Sequence, residues 1–168
     1  NKNLDLSLDA TTVDRLSTSG YKSNVTGFSI GTQFEFLDDL RLGLSTKNII
    51  EKIDVDASAS TNQKKQDGNY FDSFIGVDFL YDKRNQRYQT TSGFFSNYSV
   101  NMPILSDTNT LTNTYNYKVF KELYENNVST LSILFKGASS LSNDDIKLSE
   151  RLYIPGKRLR GFETGKIG

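Results

Sequence analysis

Arg160, Gly161 and Phe162 are the run in this chain whose residue types could do the most specific chemistry. They sit within Tyr153-Ile154-Pro155-Gly156-Lys157-Arg158-Leu159-Arg160-Gly161-Phe162-Glu163, after the last stretch of strand-like alternation. A cationic turn with a glycine and one aromatic is a poor piece of hydrophobic core. It suits a plug in a wide, polar β-barrel lumen, where a guanidinium gives two parallel hydrogen bonds to a wall carboxylate. Exposed arginines are more often simply solvated, so the weight of the run depends on the elements around it. Other chemistries are closed off early. The 168 residues include no Cys and no His, which removes thiol nucleophiles, disulfides, imidazole bases and most transition-metal sites. The serines have no His partner for a nucleophilic triad. Asp144-Asp145 and Asp54-x-Asp56 lack an ordered ligand spacing and read as loop-solvating acids rather than a Ca²⁺ site. No catalytic residue, no metal and no cofactor is expected, and the chain does not read as an enzyme. Asn24-Val25-Thr26, Asn97-Tyr98-Ser99 and Asn127-Val128-Ser129 fit the glycosylation pattern, but such triplets are common in an Asn- and Ser-rich chain and carry no function here.

The elements that must position these residues are strands. Apolar residues recur at every second position: Leu4, Leu6, Leu8 and Ala10; Phe28, Ile30, Phe34 and Phe36; Leu40, Leu42 and Leu44. The pattern continues through Phe71, Ile75, Val77, Phe79 and Tyr81; Phe94, Tyr98, Val100 and Met102; Tyr115, Tyr117 and Val119; Leu131, Ile133 and Phe135. Period two is the signature of a strand with two unlike faces. The intervening face carries Asp5, Asp9, Gln33, Glu35, Arg41, Asp72, Asp78, Asn97, Asn101 and Lys118. About seven strands follow, each near the 9–11 residues that a tilted membrane strand needs. The spacing places a long loop near Gly20, a tight turn at Asp38-Asp39, and a long polar stretch from 54 to 69. A compact turn follows at 83–92, a middling loop at 106–113, a short turn at 124–127 and a long loop after 138. Pro103 is expected to end its strand. Tyr115, Tyr117 and Tyr124 fit either an interfacial aromatic girdle or ordinary strand formers.

The fold class is therefore all-β: an antiparallel up-and-down meander of about seven strands, part of a transmembrane β-barrel, ending in a long loop (extracellular and folded into the lumen, by the family resemblance given below). Residues 1–138 form strands and hairpins and 139–168 the motif-bearing loop of one partial barrel domain. A soluble sandwich explains the alternation equally well, but it explains less of the long strands and the alternating loop lengths. Net charge is zero, so no global field selects nucleic acid. No run approaches the roughly 20 apolar residues of a membrane helix. The first residue is Asn1 and the last, Gly168, follows the most specific motif directly. Both ends read as cuts in a longer protein.

Two regions resemble a known family. Tyr81-Asp82-Lys83-Arg84-Asn85-Gln86-Arg87-Tyr88-Gln89-Thr90-Thr91-Ser92-Gly93 is similar to a periplasmic turn of the outer-membrane protein assembly factors, the central (BamA-like) barrel of the bacterial β-barrel assembly machine. There Asp82 and Arg84 can pair locally, and Gly93 supplies an unusual backbone angle at the start of the next strand. The family commonly has Pro at the place of Thr90 and an acid at the place of Asn85. The stretch from Leu152 to Phe162 resembles the sixth extracellular loop of the same family, with Pro155-Gly156 as the small pair and Arg160, Gly161 and Phe162 on the motif. The resemblance covers order and spacing from about residue 70 to 168 and only architecture before that.

This resemblance implies an insertase that folds other barrel proteins into the bacterial outer membrane without nucleotide, by a weak barrel seam and local bilayer thinning. It implies that Arg160 turns into the lumen and meets carboxylates on strands beyond Gly168. It also implies periplasmic substrate-binding domains ahead of Asn1, absent from this chain. The implied partners are the outer-membrane lipid bilayer, unfolded outer-membrane protein clients and accessory assembly lipoproteins. Two-partner secretion transporters, autotransporter-assembly homologues and organelle import barrels share the motif, and a passive porin or receptor with Arg158 and Arg160 as an anion constriction remains a different kind of reading.

Overall fold

The computed structural model describes the backbone of residues 4–17 and residues 20–152 in full. Seven strands follow one another: β1 (Leu4–Ser17), β2 (Tyr21–Leu37), β3 (Leu40–Val55), β4 (Gly68–Asp82), β5 (Ser92–Ser106), β6 (Thr110–Tyr124) and β7 (Asn127–Ser140). They form a single sheet in the order β1 to β7, every neighbour antiparallel, with β1 and β7 as its outer strands. A one-turn helix α1 (Thr61–Lys64) sits between β3 and β4. Its N-terminus is closed by a capping box, in which the Ser60 hydroxyl accepts from the Gln63 amide and the Gln63 side chain accepts from the Ser60 amide.

Period-two alternation gives each strand two faces, and the register joins them across the sheet. Phe28 stands opposite Asn48, Ile30 opposite Thr46 and Phe34 opposite Leu42. Leu42 continues to Phe79, Phe79 to Tyr98, Tyr98 to Tyr115 and Tyr115 to Phe135. In β1 the register sets Leu4 against Phe34 and Leu8 against Ile30. The opposite face runs from Glu35 through Arg41 to Leu80, and from Gly43 through Asp78 to Ser99. Burial is inverted relative to a soluble domain. Phe28, Ile30, Ile75, Phe79, Leu131, Ile133 and Phe135 are 41–59 % exposed. The buried set among the described residues holds only three apolar side chains, Ile53, Phe74 and Leu148, against six polar ones: Ser23, Glu51, Asp72, Ser73, Thr110 and Lys147. A sandwich would bury those Phe and Ile residues between two sheets. A barrel wall shows them outward.

Both tight turns at one end use the same chemistry. Asp39 and Asn126 each take φ 63°, a left-handed conformation that short polar side chains tolerate. The Glu four residues earlier accepts a hydrogen bond from that amide, Glu35 from Asp39 and Glu122 from Asn126. In each case the register slips by one residue just before the turn, at Phe36 and at Leu123. An extra residue there sharpens the local twist and brings the chain round.

Five expectations are corrected. The loop near Gly20 spans only residues 18–20, because the polar residues from Asn24 back to Tyr21 pair with β1 and β3. The connection expected at 106–113 is likewise only 107–109, since Thr110, Leu111 and Thr112 pair with β7. The loop-length contrast rests instead on 56–67 and on the chain after β7, which leaves the sheet at Ser140 rather than 138. Pro103 lies inside β5, not at its end. The β4–β5 register skips a residue beside it, from Leu105 to Pro103, and the last β5–β6 pair is Asn101 with Thr112. A bulge that has left its other neighbour is where a strand can do without an N–H. The strands also run to 14–17 residues rather than 9–11, because polar stretches such as Lys22–Asn24, and Lys52 and Asp54 on either side of Ile53, extend the ladder beyond the apolar band.

Candidate functional site

The chain beyond β7 turns back over the polar face, and one lysine holds it there. Register places Glu51 of β3 opposite Tyr70 of β4 and Ile49 opposite Asp72, so Glu51, Tyr70 and Asp72 share one patch of the polar face. Lys147 enters this patch and is about 2 % exposed. Its ammonium lies 3.0 Å from Glu51 Oε2 and 3.7 Å from Glu150 Oε1, bonds the Asp72 carboxylate, and stands 5.4 Å from the centre of the Tyr70 ring. The remaining lone pairs of the wall carboxylates are occupied. Ser23 Oγ and Ser149 Oγ donate to Glu51 at 2.5 and 2.8 Å. Thr108 donates its amide and its hydroxyl to Asp72 Oδ1 at 3.3 and 3.1 Å.

The backbone on either side of the lysine is tied as well. Gln66, just before β4, accepts from the Leu148 amide at 2.7 Å and donates to the Ile146 carbonyl at 3.5 Å. The Tyr70 hydroxyl donates to the Gln66 carbonyl, and the Tyr21 hydroxyl donates to the Leu148 carbonyl. Leu148, 1 % exposed, contributes one apolar contact to an otherwise polar anchor. Strands β2, β3 and β4 and two connections therefore converge on residues 146–151.

Three carboxylates surround one ammonium. Burial alone pushes the Lys147 ammonium down, but the Asp72 hydrogen bond and the charges of Glu150, Glu51 and Asp72 more than offset it, and its pKa lies above the ordinary lysine value. Burial pushes the Glu150 carboxyl up, against the Thr110 hydroxyl and the Lys147 charge, which pull it down. The buried ammonium is kept charged by carboxylates whose wall members, Glu51 and Asp72, are themselves hydrogen-bonded, while Glu150 Oε2 is buried without a hydrogen-bond partner.

At the other end of the sheet, the turn between β4 and β5 is closed by side chains. Arg84 Nε and Nη2 donate to the two oxygens of Asp82, both at 2.7 Å, and the guanidinium lies 5.0 Å from the centre of the Phe95 ring. The Asp82 hydrogen bond holds the Arg84 pKa above its usual value. Asn85 Oδ1 accepts from the Thr91 and Ser92 amides, each at 3.2 Å. An acid at this position could accept the same two hydrogen bonds, so Asn85 serves as its neutral equivalent. Thr90, at the place of Pro, bonds the Gln86 carbonyl through its hydroxyl at 2.6 Å. Gly93 has φ +98°, and a Cβ there would strike the Lys83 carbonyl oxygen and come within 2.9 Å of Arg84 Cα. Lys83 in turn pairs with Asp39 of the neighbouring turn at 2.5 Å. Beside this end, Tyr81, Phe94, Tyr117 and Tyr115 form a run of ring contacts on the apolar face, with centroids 5.3, 6.1 and 6.5 Å apart.

Asp82, Arg84 and Gly93 thus meet in one turn. Gly156, Arg160, Gly161 and Phe162 lie outside the described residues. Lys147, Glu51 and Glu150 were missed in the sequence, and Asp72 was placed on the polar face without a role. One signal was present. Lys147 stands between Ile146 and Leu148 in an otherwise polar loop, and Glu51 interrupts Ile49-Ile50-Glu51-Lys52-Ile53 on the polar-face parity.

One open antiparallel sheet with aromatics on its exposed face, charge on its shielded face and a loop folded over the charge has the build of a β-barrel wall. The chain belongs to the Omp85 superfamily: the model of the Omp85 superfamily domain matches residues 1–168. Proteins of this superfamily work in the outer membrane and interact with substrate proteins. A comparison with curated proteins found no match.

Two outcomes check these arrangements. Gly93→Ala forces a left-handed β-carbon against backbone and should destabilise the folded sheet by about 1–3 kcal/mol, read as a lower urea midpoint. The pH dependence of the anchor follows from the raised Lys147 pKa. The stability it contributes is fully present below the unfolded lysine value and is lost as pH rises through the higher folded value. A fluorophore on Asn143→Cys should keep its anisotropy through neutral pH and lose it only in strong alkali.

Proposed function

We propose that this chain is part of an outer-membrane barrel that folds and inserts other β-barrel proteins, the role held by the assembly factors it resembles within its superfamily. The observation that carries this reading is the fold-back of residues 146–151 onto the polar face. A passive pore needs an open lumen, whereas a barrel whose long loop is anchored inside its wall keeps the lumen filled. The membrane side of the reading rests on the outer face. From Tyr81 to Phe71 the exposed parity of β4 spans eleven residues, and at about 3.3 Å per residue and a tilt near 40° that covers roughly 25 Å, the height of a barrel's apolar band. The run from Tyr81 to Tyr115 then sits as an aromatic girdle at the short-turn interface. Clients reach such a barrel as unpaired strands, and a strand at the seam of the whole barrel offers a row of backbone donors and acceptors for one to pair with. The activity is physical: no bond in the client is broken, and no nucleotide or metal is called for. Periplasmic substrate domains and accessory lipoproteins belong to this reading as partners of the whole protein.

Two sets of variants test it in the full-length protein. Ile75→Arg, on the apolar face, should lower folding into phospholipid bilayers by up to about 2–4 kcal/mol, and Glu35→Arg, on the polar face, by much less. Equal tolerance would argue against lipid contact. For the motif, Arg160→Ala should reduce barrel stability and the assembly of other outer-membrane proteins in cells, while Arg158→Ala has little effect. Matching behaviour of the two would remove the motif from the mechanism, and loss of one secreted client with assembly intact would point to a transporter.

A further inference from the structure

We infer that Lys147 is the positioning residue of the loop, a charge-paired pin that fixes where the chain beyond β7 enters the lumen. This rests on the reading of that loop as a lumen element. The argument is one of balance. Lys147 is the only cation in contact with Glu51, Asp72 and Glu150 among the described residues, so within that set the wall carboxylates at this patch have no other countercharge. Two of the three belong to the sheet and one to the loop. Removing the ammonium leaves Glu51 and Asp72 buried under residues 146–151 without compensation, and a buried unpaired carboxylate is far less tolerable than a hydrated one. The loop is the part that can yield. Among its described residues the one buried apolar side chain is Leu148, whereas β3 and β4 are held by a continuous ladder from Leu40–Tyr81 to Ile53–Gly68. Loss of Lys147 should therefore lift the loop off the wall, let lumen water reach Glu51 and Asp72, and leave the sheet intact. Gln66 and Tyr21 then set the backbone register of the docked segment, but the charge pair supplies the selectivity for docking at this place. The neutral amide of Gln66 would accept any backbone, while the carboxylate pair accepts only a cation at this height on the loop.

These 168 residues hold no cysteine, so a thiol introduced here can be read in a full-length background freed of any other cysteine. In the full-length protein, reconstituted in outer-membrane lipid, Leu148→Cys reports docking by its rate of maleimide labelling. Adding Lys147→Met should raise that rate at least about tenfold, with the folded barrel still migrating as folded on unheated gels. The pair Lys147→Asp with Asp72→Lys restores the charge contact in reverse and should bring labelling back toward the parent rate, a recovery that a simple packing role would not give. Should Lys147→Met fail to fold, Glu51→Gln with Asp72→Asn removes the wall charges instead, and the same rise is expected. An unchanged labelling rate in either variant, or no recovery in a folded swapped pair, overturns the assignment. Assembly of other outer-membrane proteins is read separately. A freed loop with normal assembly leaves Lys147 as the pin and refutes the loop's part in the proposed function, while an unchanged loop with lost assembly does the reverse.

Discussion

A slip of one residue in any of the six strand pairings would turn the exposed Phe, Ile and Leu side chains of that strand to the polar face. Everything else in this sheet depends on parity being kept. The irregularities are placed accordingly. Phe36 and Leu123 disrupt the register next to their turns, and the skip beside Pro103 lies near the far end of β5. Between those points the ladders are regular, so the apolar positions of one strand meet those of the next from Phe34 through Leu42, Phe79, Tyr98 and Tyr115 to Phe135. Gly43, facing Asp78, and Gly76, facing Ser45 and Asn101, let polar side chains crowd together on the shielded face without spreading the strands.

The alternation was legible in the sequence because burial on one face writes a period of two into every strand. The superfamily was legible from Asp82, Arg84 and Gly93 and the final motif. The strand ends were not. Tyr21 to Asn24 and Thr110 to Asn113 look like loop residues because their polar side chains lie beyond the apolar band, yet their backbone groups are laddered as fully as the rest. Composition reports what a side chain touches, and here the backbone continued past the change of surroundings. Pro103 misled for a related reason: its missing N–H matters only where a neighbouring strand asks for it, and at the bulge none does. The Lys147 anchor was harder to foresee. A lysine between two apolar residues in a long loop has many innocent explanations, and its partners lie 75 and 96 positions earlier in the chain.

Burial of charge is the second organising feature. In a soluble domain of this size a lysine with three carboxylates would sit at the rim, where its pairing is worth little. Here the solvent-shielded surface is the polar one, and a charged group is the natural filler. The same inversion accounts for the satisfied neighbours. Ser23, Ser149 and Thr108 each donate to a carboxylate that already carries the ammonium, so the patch is closed as a network rather than as a single pair.

The two tight turns are spelled alike, as Glu-Phe-Leu-Asp-Asp in one hairpin and Glu-Leu-Tyr-Glu-Asn in the other. Each carries its own bulge, its own left-handed residue and its own side-chain lock, and the first is tied in addition to the next turn through Lys83 and the Asp82 amide. In its bulge, its left-handed residue and its lock, such a hairpin is a module. Adding or removing one changes the circumference of the wall by two strands at a time and returns the next strand to the direction and face it had before. A wall assembled from such modules can change its girth without renegotiating which side meets which solvent.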